Sequence, residues 1–459
     1  MPQANFWTIY EKYGTTFPHA MNAGIATIRR FFWRVEYSAF FRALPFVITG
    51  GILLFFIILV KSRTFDEISS HPILLIYTFF VSSFALSRLA SSLLYKRVLR
   101  TVVVGTSDYE PKVSFCIPCK NEEDAIFNTI DRCFAVLYPS EKVEVIAIND
   151  GSTDGTGAEI ERARQKHPSL RVLGWEKNRG KKHAIAAAVA IAAGEIFIQL
   201  DSDSYVTAET FRSLISPFGN PHIGAVCAHA DPQNADTNVL TKMQAAYYFM
   251  SFRILKAGES TFLSVMCCSG ACSAYRTSIL REVLPTWMHE RFMGAPTTWG
   301  EDRALTSQVL KRGYQTIYSD EVQAYTICPE TFKQFFKQQL RWKKSWIVNS
   351  IIVSRFIHRT NPFVAYAYFY PLVITSFLTP IITMISIFYA PLLHGFLPLY
   401  YILGIFLMTS LFAVYYRYVR WENKYWPYLF LWIVFNIFCV NFIMFAAAAR
   451  LRDRGWGTR

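Results

Sequence analysis

The chain has 459 residues, 52% hydrophobic and 16% aromatic, with a formal net charge of +14. Its mean hydropathy of +0.22 is too high for an ordinary soluble protein of this size, and the apolar residues are gathered into blocks at both ends of the chain. That segregation excludes a wholly soluble protein, and the basic excess sits largely beside the apolar blocks, so it calls for no nucleic-acid partner.

Residues 1–42 carry Arg29, Arg30, Arg34 and Arg42 among aromatics. They contain no apolar core or cleavage site of a signal peptide, and read as an amphipathic segment on an anionic membrane surface. Blocks 43–60 and 73–95 are almost purely apolar, and 362–390, 397–416 and 426–448 follow after a long gap. Each is close to the ~20 residues that cross a hydrocarbon core as a helix. Lys96, Arg97 and Arg100 follow the second block, and Arg417, Arg420 and Lys424 follow the fourth. By the positive-inside rule these flanks, and the central region with them, are expected in the cytosol. The expected organisation is 1–42 interface segment, 43–100 two membrane helices, 101–330 catalytic domain, 331–360 interface helices, 361–448 membrane channel helices and 449–459 cytosolic tail.

The central region alternates strand and helix. Buried strands are expected at 113–118 (VSFCIP), 143–148 (VEVIAI), 171–173 and 196–200 (IFIQL), with helices at 122–137, 158–166 and 182–193. This pattern implies an α/β domain with a mostly parallel sheet, whose ligands bind at the carboxyl ends of the strands. Nine cysteines include one CxxC (Cys116, Cys119) with no second clean pair, which argues against structural zinc.

Four elements carry chemistry. Asp201-Ser202-Asp203 follows IFIQL, and two carboxylates there suit a divalent ion that also holds a diphosphate; alone, the motif also reads as a solvated turn. Arg179-Gly180-Lys181-Lys182 precedes a helix start and suits phosphate, or is an exposed basic turn. Glu301 and Asp302, after Gly300, offer a carboxylate to deprotonate an attacking hydroxyl. Gln338, Arg341 and Trp342 offer an amide, a guanidinium and an indole for sugar and diphosphate, or are the cationic aromatic face of an interfacial helix.

The order of these motifs between membrane helices resembles the processive membrane glycosyltransferases of family 2, from about Val113 to Arg459. The stretches 266–276 (MCCSGACSAYR), 299–306 (WGEDRALT), 338–346 (QQLRWKKSW) and the terminal WGTR look most like hyaluronan synthases. They are also similar to chitin and chitooligosaccharide synthases. The resemblance implies a GT-A type domain that polymerises UDP-sugars by inverting transfer and passes the product through its own helices. The donors implied are UDP-N-acetylglucosamine and UDP-glucuronate; the growing polysaccharide and membrane lipids are the other partners, and Mg²⁺ or Mn²⁺ the cofactor. A neutral N-acetylglucosamine polymer, another capsule polysaccharide, or a non-catalytic transporter are the alternatives. Asp150, Arg179, Lys181, Asp201 and Arg341 are implied at the nucleotide, with Trp456 and Arg459 in a gating tail. Asp203 and Asp201 are implied at the metal, Asp302 as general base with Glu301 beside it. Cys267, Cys268, Ser269, Gly270, Gln338 and Trp342 are implied near the acceptor, and Arg88, inside the second block, in the channel lining or snorkelling to the surface. Two departures touch base recognition: Cys119-Lys120-Asn121-Glu122 lacks an aromatic, and Asn149-Asp150 replaces a pair of acids.

Five spans from a cytosolic start would leave the tail outside. Yet Arg450, Arg452, Arg454 and Arg459 make the tail basic. One C-terminal block is therefore expected to be a broken helix or re-entrant pair.

Overall fold

The computed structural model describes residues 43–66, 72–103, 108–297, 300–389, 391–392 and 399–453. The amphipathic segment expected over 1–42 and the terminal Trp456 and Arg459 lie outside the described residues.

Two long helices open the described chain, α1 (Ala43–Asp66) and α2 (Pro72–Val102). The catalytic-type domain begins with β1 (Val113–Cys119), α3 (Ile126–Phe134) and β2 (Val143–Asp150). It continues through α4 (Thr156–Lys166), β3 (Arg171–Trp175), α5 (Lys181–Ile191) and β4 (Ile196–Gln199). Next come β5 (Tyr205–Val206), α6 (Phe211–Ile215) and β6 (Ile223–Pro232). A continuous helix α7 is built from Val239–Phe249, a π-helical stretch Met250–Lys256, and Ala257–Ser260. β7 (Ser273–Arg276), α8 (Thr277–Met288), the small hairpin β8 (Arg291–Phe292) and β9 (Ala295–Pro296), α9 (Glu301–Lys311) and β10 (Gln315–Thr326) complete the domain.

The main sheet has the order β3-β2-β1-β4-β7-β6-β10-β5, parallel except for β7 and β5. Every side chain of β1 is buried, as expected for a strand covered on both faces. Cys116 and Cys119 are three positions apart on β1, so they point to opposite faces of the sheet, and Cys119 Sγ donates to Ile148 O at 3.3 Å. Both are core residues. The order of strands reverses between β1 and β4, and a crevice opens outside the carboxyl ends of those strands. The acidic ends of β2 and β4 meet there.

After the domain come α10 (Phe332–Ser354), α11 (Pro362–Tyr389), α12 (Leu399–Val419) and α13 (Tyr428–Ala449). A reciprocal capping box, Thr331 with Gln334, starts α10. Five helices, α1, α2, α11, α12 and α13, are long and apolar enough to cross a membrane. Four of them alternate in direction. Near the domain, Phe46 packs on Tyr418 and Trp421; at the opposite end, Lys61 Nζ reaches Thr78 O at 3.4 Å and Tyr77 bonds Thr379 at 2.7 Å.

The fifth helix behaves differently. α13 lies alongside α10 and runs in the same direction: Trp432 and Phe435 pack on Phe335, and twelve residues on, Met444 and Ala447 pack on Ile347. Beyond its end, Lys344 Nζ bonds Asp453 O and Oδ2, each at 3.2 Å. Trp432 also stacks on Tyr247 of α7, with ring centroids 4.4 Å apart. The beginning of α13 therefore touches α7 of the domain, and its end and Asp453 beyond it touch α10. The helix is interrupted within its length, as expected of one C-terminal block: a π-helical stretch at Asn436–Val440 gives way to a turn at Asn441–Phe442 before Ile443–Ala449.

The basic flanks also have a use that charge counting does not reveal. Lys96 pairs with Asp320 at 2.9 Å, Arg420 bonds Gln323 at 2.8 Å, and Lys424 pairs with Asp236 at 2.8 Å. They fasten the domain to the helices above it.

Candidate active site

The floor of the crevice is laced by side chains from three strand ends. Asn121, just past β1, takes a left-handed φ of 56°, a conformation asparagine tolerates, and its Oδ1 accepts Thr153 N–H at 2.9 Å. The unusual CKNE stretch thus ties the first loop to the loop after β2. Asp150 is 3% exposed. Its carboxylate accepts from Trp175 Nε1 (2.5 Å), Asn178 Nδ2 (2.9 Å), Arg179 N (2.7 Å) and Gly180 N (2.9 Å). Asp150 is thereby the organiser of the turn that carries Arg179 to the start of α5. The Arg179 side chain is exposed, 5.0 Å above the Trp175 ring. Trp175 was not singled out in the sequence; its place at the carboxyl end of a strand beside NDG was the available signal.

Lys181, the first residue of α5, is the hub of a charged cluster. Its ammonium pairs with Asp201 and, at 2.9 Å, with Glu301. Burial works against its charge, but Asp201 and Glu301 outweigh that cost and hold it protonated above the ordinary lysine range. Gly270 explains the small residue in MCCSGACS: an added Cβ would lie 2.8 Å from Asp201 Oδ1 and 2.9 Å from Lys181 Nζ. Gly270→Ala is therefore expected to spread this pair and cut turnover by about tenfold or more, with the melting profile little changed. Unaltered kinetics in that variant would show that the pair has room to move. Asp203 lies two residues beyond Asp201, where Ser204 Oγ donates to it at 3.2 Å and Thr326 Oγ1 at 3.4 Å.

The Gly300 motif is not a free turn. Gly300 has φ of 77° and caps α9, and an added Cβ would overlap Ser345 of α10. Only glycine allows both the left-handed backbone and that close approach. Glu301 and Asp302 thus sit in the first turn of a helix, where the helix dipole favours negative charge. Their surroundings divide them. Burial opposes ionisation of Glu301, but Lys181 and Arg341 hold its carboxyl below the usual range. Burial and the neighbouring Glu301 push the Asp302 carboxyl above the usual range. Asp302 faces Cys267, whose Sγ is 3.7 Å from Oδ2, and its Oδ1 accepts Arg303 N–H at 2.7 Å. Burial raises the Cys267 thiol to about 12, so it is a neutral neighbour rather than a nucleophile.

The other sequence candidates separate. Cys268 is fully buried in the sheet core, with its N–H on Thr306 Oγ1 at 2.9 Å, and Ser269 O accepts Ser273 at 2.7 Å. Of this run, Cys267 faces Asp302 and Gly270 abuts Asp201 and Lys181. Trp342 packs against the domain core from α10. Gln338 Oε1 is buried with no hydrogen-bond partner among the described residues. Arg88 is 4% exposed, its Nη2 on Ala367 O at 3.0 Å and its guanidinium 3.5 Å from the Tyr368 ring centroid. It faces the helix interior rather than snorkelling. Lys256 and Glu259 on α7 escaped the sequence reading: Lys256 Nζ donates to Cys267 O, and Glu259 Oε2 accepts Met266 N–H at 3.1 Å. Nothing in their local sequence distinguishes them from residues of an exposed helical face.

Residues 114–284 match Glycosyl transferase family 2. The central domain is a family 2 glycosyltransferase domain. Its GT-A-like fold is shared with a mannosyltransferase from Pyrobaculum calidifontis solved with GDP-Man and Mn²⁺: the TM-score is 0.52 at 21% identity, over 79% of this chain and 99% of that one. An N-acetylglucosaminyltransferase of Rhizobium meliloti (strain 1021) is 30% identical over 282 residues, 60% of this chain and 65% of the relative. A hyaluronan synthase of Streptococcus pyogenes serotype M1 is 29% identical over 261 residues, 56% of this chain and 62% of the relative. The match spans less than two thirds of either relative's length. Within the glycosyltransferase domain, Glu301 joins the Lys181–Asp201 cluster while its neighbour Asp302 faces Cys267.

Proposed function

We propose that the protein is a membrane-embedded, inverting, processive glycosyltransferase that builds a polysaccharide from UDP-sugars on the cytosolic side and passes it between its helices. The observation that carries this reading is the division of Glu301 from Asp302. One acid is tied into a cationic cluster suited to a leaving diphosphate. The other is kept basic beside Cys267, where an acceptor hydroxyl would approach. The relatives named as hyaluronan synthase and N-acetylglucosaminyltransferase support a product containing N-acetylglucosamine, and the hyaluronan reading adds glucuronate.

Asp201 and Asp203 suit Mg²⁺ or Mn²⁺. Among the described residues no group of three or more His, Cys, Asp or Glu side chains gathers to form an all-protein cage. Two carboxylates leave positions for phosphate oxygens and water, as a hard cation prefers. Asp201 already shares its carboxylate with Lys181, which favours Asp203 as the direct ligand. Such an ion would supply charge neutralisation at the diphosphate. Around it, Lys181, Arg179 and Arg341 would bind the phosphates, Trp342 and Gln338 would hold the acceptor sugar, and Asp302 would take the proton of its hydroxyl.

Asp203→Asn is expected to abolish both polymer formation and UDP release while expression and detergent behaviour stay near normal. Full wild-type turnover in excess chelator would refute the metal assignment. Purified protein supplied with single and paired UDP-sugars tests the product: a polymer formed only from the pair and digested by hyaluronan lyase supports the hyaluronan reading. Polymer from UDP-N-acetylglucosamine alone supports the neutral alternative.

A further inference from the structure

The loop before β7, residues 265–270, has no helix or strand of its own, yet its backbone is fastened along its length by partners from other elements. Val265 O accepts from Thr316 Oγ1 at 2.8 Å, and Glu259 Oε2 accepts Met266 N–H at 3.1 Å. Lys256 Nζ donates to Cys267 O. Thr306 Oγ1 accepts Cys268 N–H at 2.9 Å, and the Tyr275 hydroxyl donates to Cys268 O at 3.3 Å. At the far end Gly270 O accepts Asp201 N–H at 2.9 Å. Lys256, Glu259, Tyr275, Thr306 and Thr316 are all buried, so these bonds form away from water.

Thr306 differs from the other fasteners, because its hydroxyl is shared between the loop and the helix of the acid pair. It lies one turn beyond Asp302 on α9 and donates to Asp302 O at 2.8 Å, while its oxygen takes the Cys268 N–H. The first bond alone is ordinary for a threonine in a helix. The second joins the loop to the peptide of Asp302 itself. Beside this joint Cys267 Sγ stands 3.7 Å from Asp302 Oδ2. The loop therefore meets Asp302 at one end and Asp201 at the other.

We infer that Thr306 is a positioning residue for Asp302: its hydroxyl locks the 265–270 loop to the first turn of α9 and so sets the spacing between the base and the Lys181–Asp201 cluster. The inference rests on the proposed transferase reading and names what holds the base of that reading in place. Removing the hydroxyl leaves the Cys268 N–H buried without its partner, so the loop must shift to satisfy it. A misplacement on the order of 1 Å at a reacting group can cost about 10²-fold in rate. The hydrogen bonds of Thr306 go to Cys268, Asp302 and Tyr275, none of them assigned to the nucleotide. The loss is therefore expected in turnover, with UDP affinity unchanged.

The test is a double-mutant cycle on the full chain in detergent or nanodiscs, supplied with UDP-N-acetylglucosamine and UDP-glucuronate singly and paired. UDP release is measured per UDP-binding site counted by calorimetry, so a loss of folded protein does not pass for a loss of rate. Thr306→Val keeps the shape and removes the hydroxyl; it is expected to lower kcat by about tenfold or more, with the Kd for UDP unchanged. Thr306→Ser keeps the hydroxyl and is expected to recover most of the rate. In an Asp302→Asn background Thr306→Val is expected to cost nothing further, because the group it positions can no longer take a proton. Tyr275→Phe, which frees Cys268 O, enters the same cycle if the Val variant folds poorly. Wild-type kcat in Thr306→Val, no recovery by Ser, or losses that multiply in the double variant would each overturn the positioning role while the transferase reading stands. No UDP release by the wild type from single or paired donors removes that reading and the positioning role with it.

Discussion

Asp302→Asn should lower turnover by about 10²-fold or more, the usual contribution of a positioned general base, and leave donor affinity almost unchanged. Asparagine keeps the shape of the side chain and an oxygen for Arg303 N–H, so the helix start survives, but it cannot accept a proton. The base is tuned for the task. Burial and Glu301 raise its pKa, which makes the ionised form a stronger base than an exposed aspartate. The same shift sets the acid limb of the pH profile. The ionised form is required, so activity falls as pH drops through the raised pKa, at a higher pH than an unperturbed aspartate would give. Asp302→Asn should remove that limb along with the rate. Glu301→Gln makes the contrast, since it strips Lys181 and Arg341 of a shared counter-charge and should act mainly on donor binding. Binding of UDP by calorimetry, beside initial rates, separates the two. Collapse of donor affinity in Asp302→Asn would move Asp302 to the nucleotide site and undo the division of labour proposed for α9.

The sequence shows this division only in part. Strand ends with acids were legible because parallel strands read as apolar runs, and their ligands gather at the carboxyl ends. Asp150, Asp201 and Asp203 were found that way, whereas Glu301 and Asp302 stood out as an acid pair after a glycine. The sequence could not show that Asp150 spends its carboxylate on Trp175, Asn178 and two backbone amides, because those contacts depend on how the turn after β3 folds back. Gly300 was visible as a glycine, but its reason lies 45 residues away in Ser345. Charge counts placed Lys96, Arg420 and Lys424 on one side of the membrane. Their use as ties to Asp320, Gln323 and Asp236 needed the docked domain.

Removing residues 456–459 should abolish catalysis without unfolding the membrane region. The expectation begins with α13. A helix of 22 residues is ~33 Å long, enough to carry its far end across a bilayer. Instead its beginning packs on Tyr247 and Phe335, its end packs on Ile347, and Lys344 holds Asp453 just beyond it. With α1, α2, α11 and α12 as four alternating spans, the chain comes back to the side of the glycosyltransferase domain before α13 starts. Its basic tail then needs no crossing, which satisfies the positive-inside rule without a re-entrant loop. Asp453 is anchored on the same helix that carries Arg341 and Trp342, and residues 454–459 follow it in the chain. We propose that they close over the bound nucleotide, with Arg459 forking to phosphate oxygens and Trp456 packing as the anchor. Arg459→Lys, which keeps the charge and loses the fork, should recover only part of the activity lost on deletion. The placement is tested with a single cysteine at Thr458, after replacing Cys439, exposed, and Cys267, half-exposed. Labelling from outside intact cells by an impermeant thiol reagent would put α13 across the membrane and end the gating proposal. Labelling only in opened membranes, suppressed by UDP, is the result expected if the tail folds over the donor.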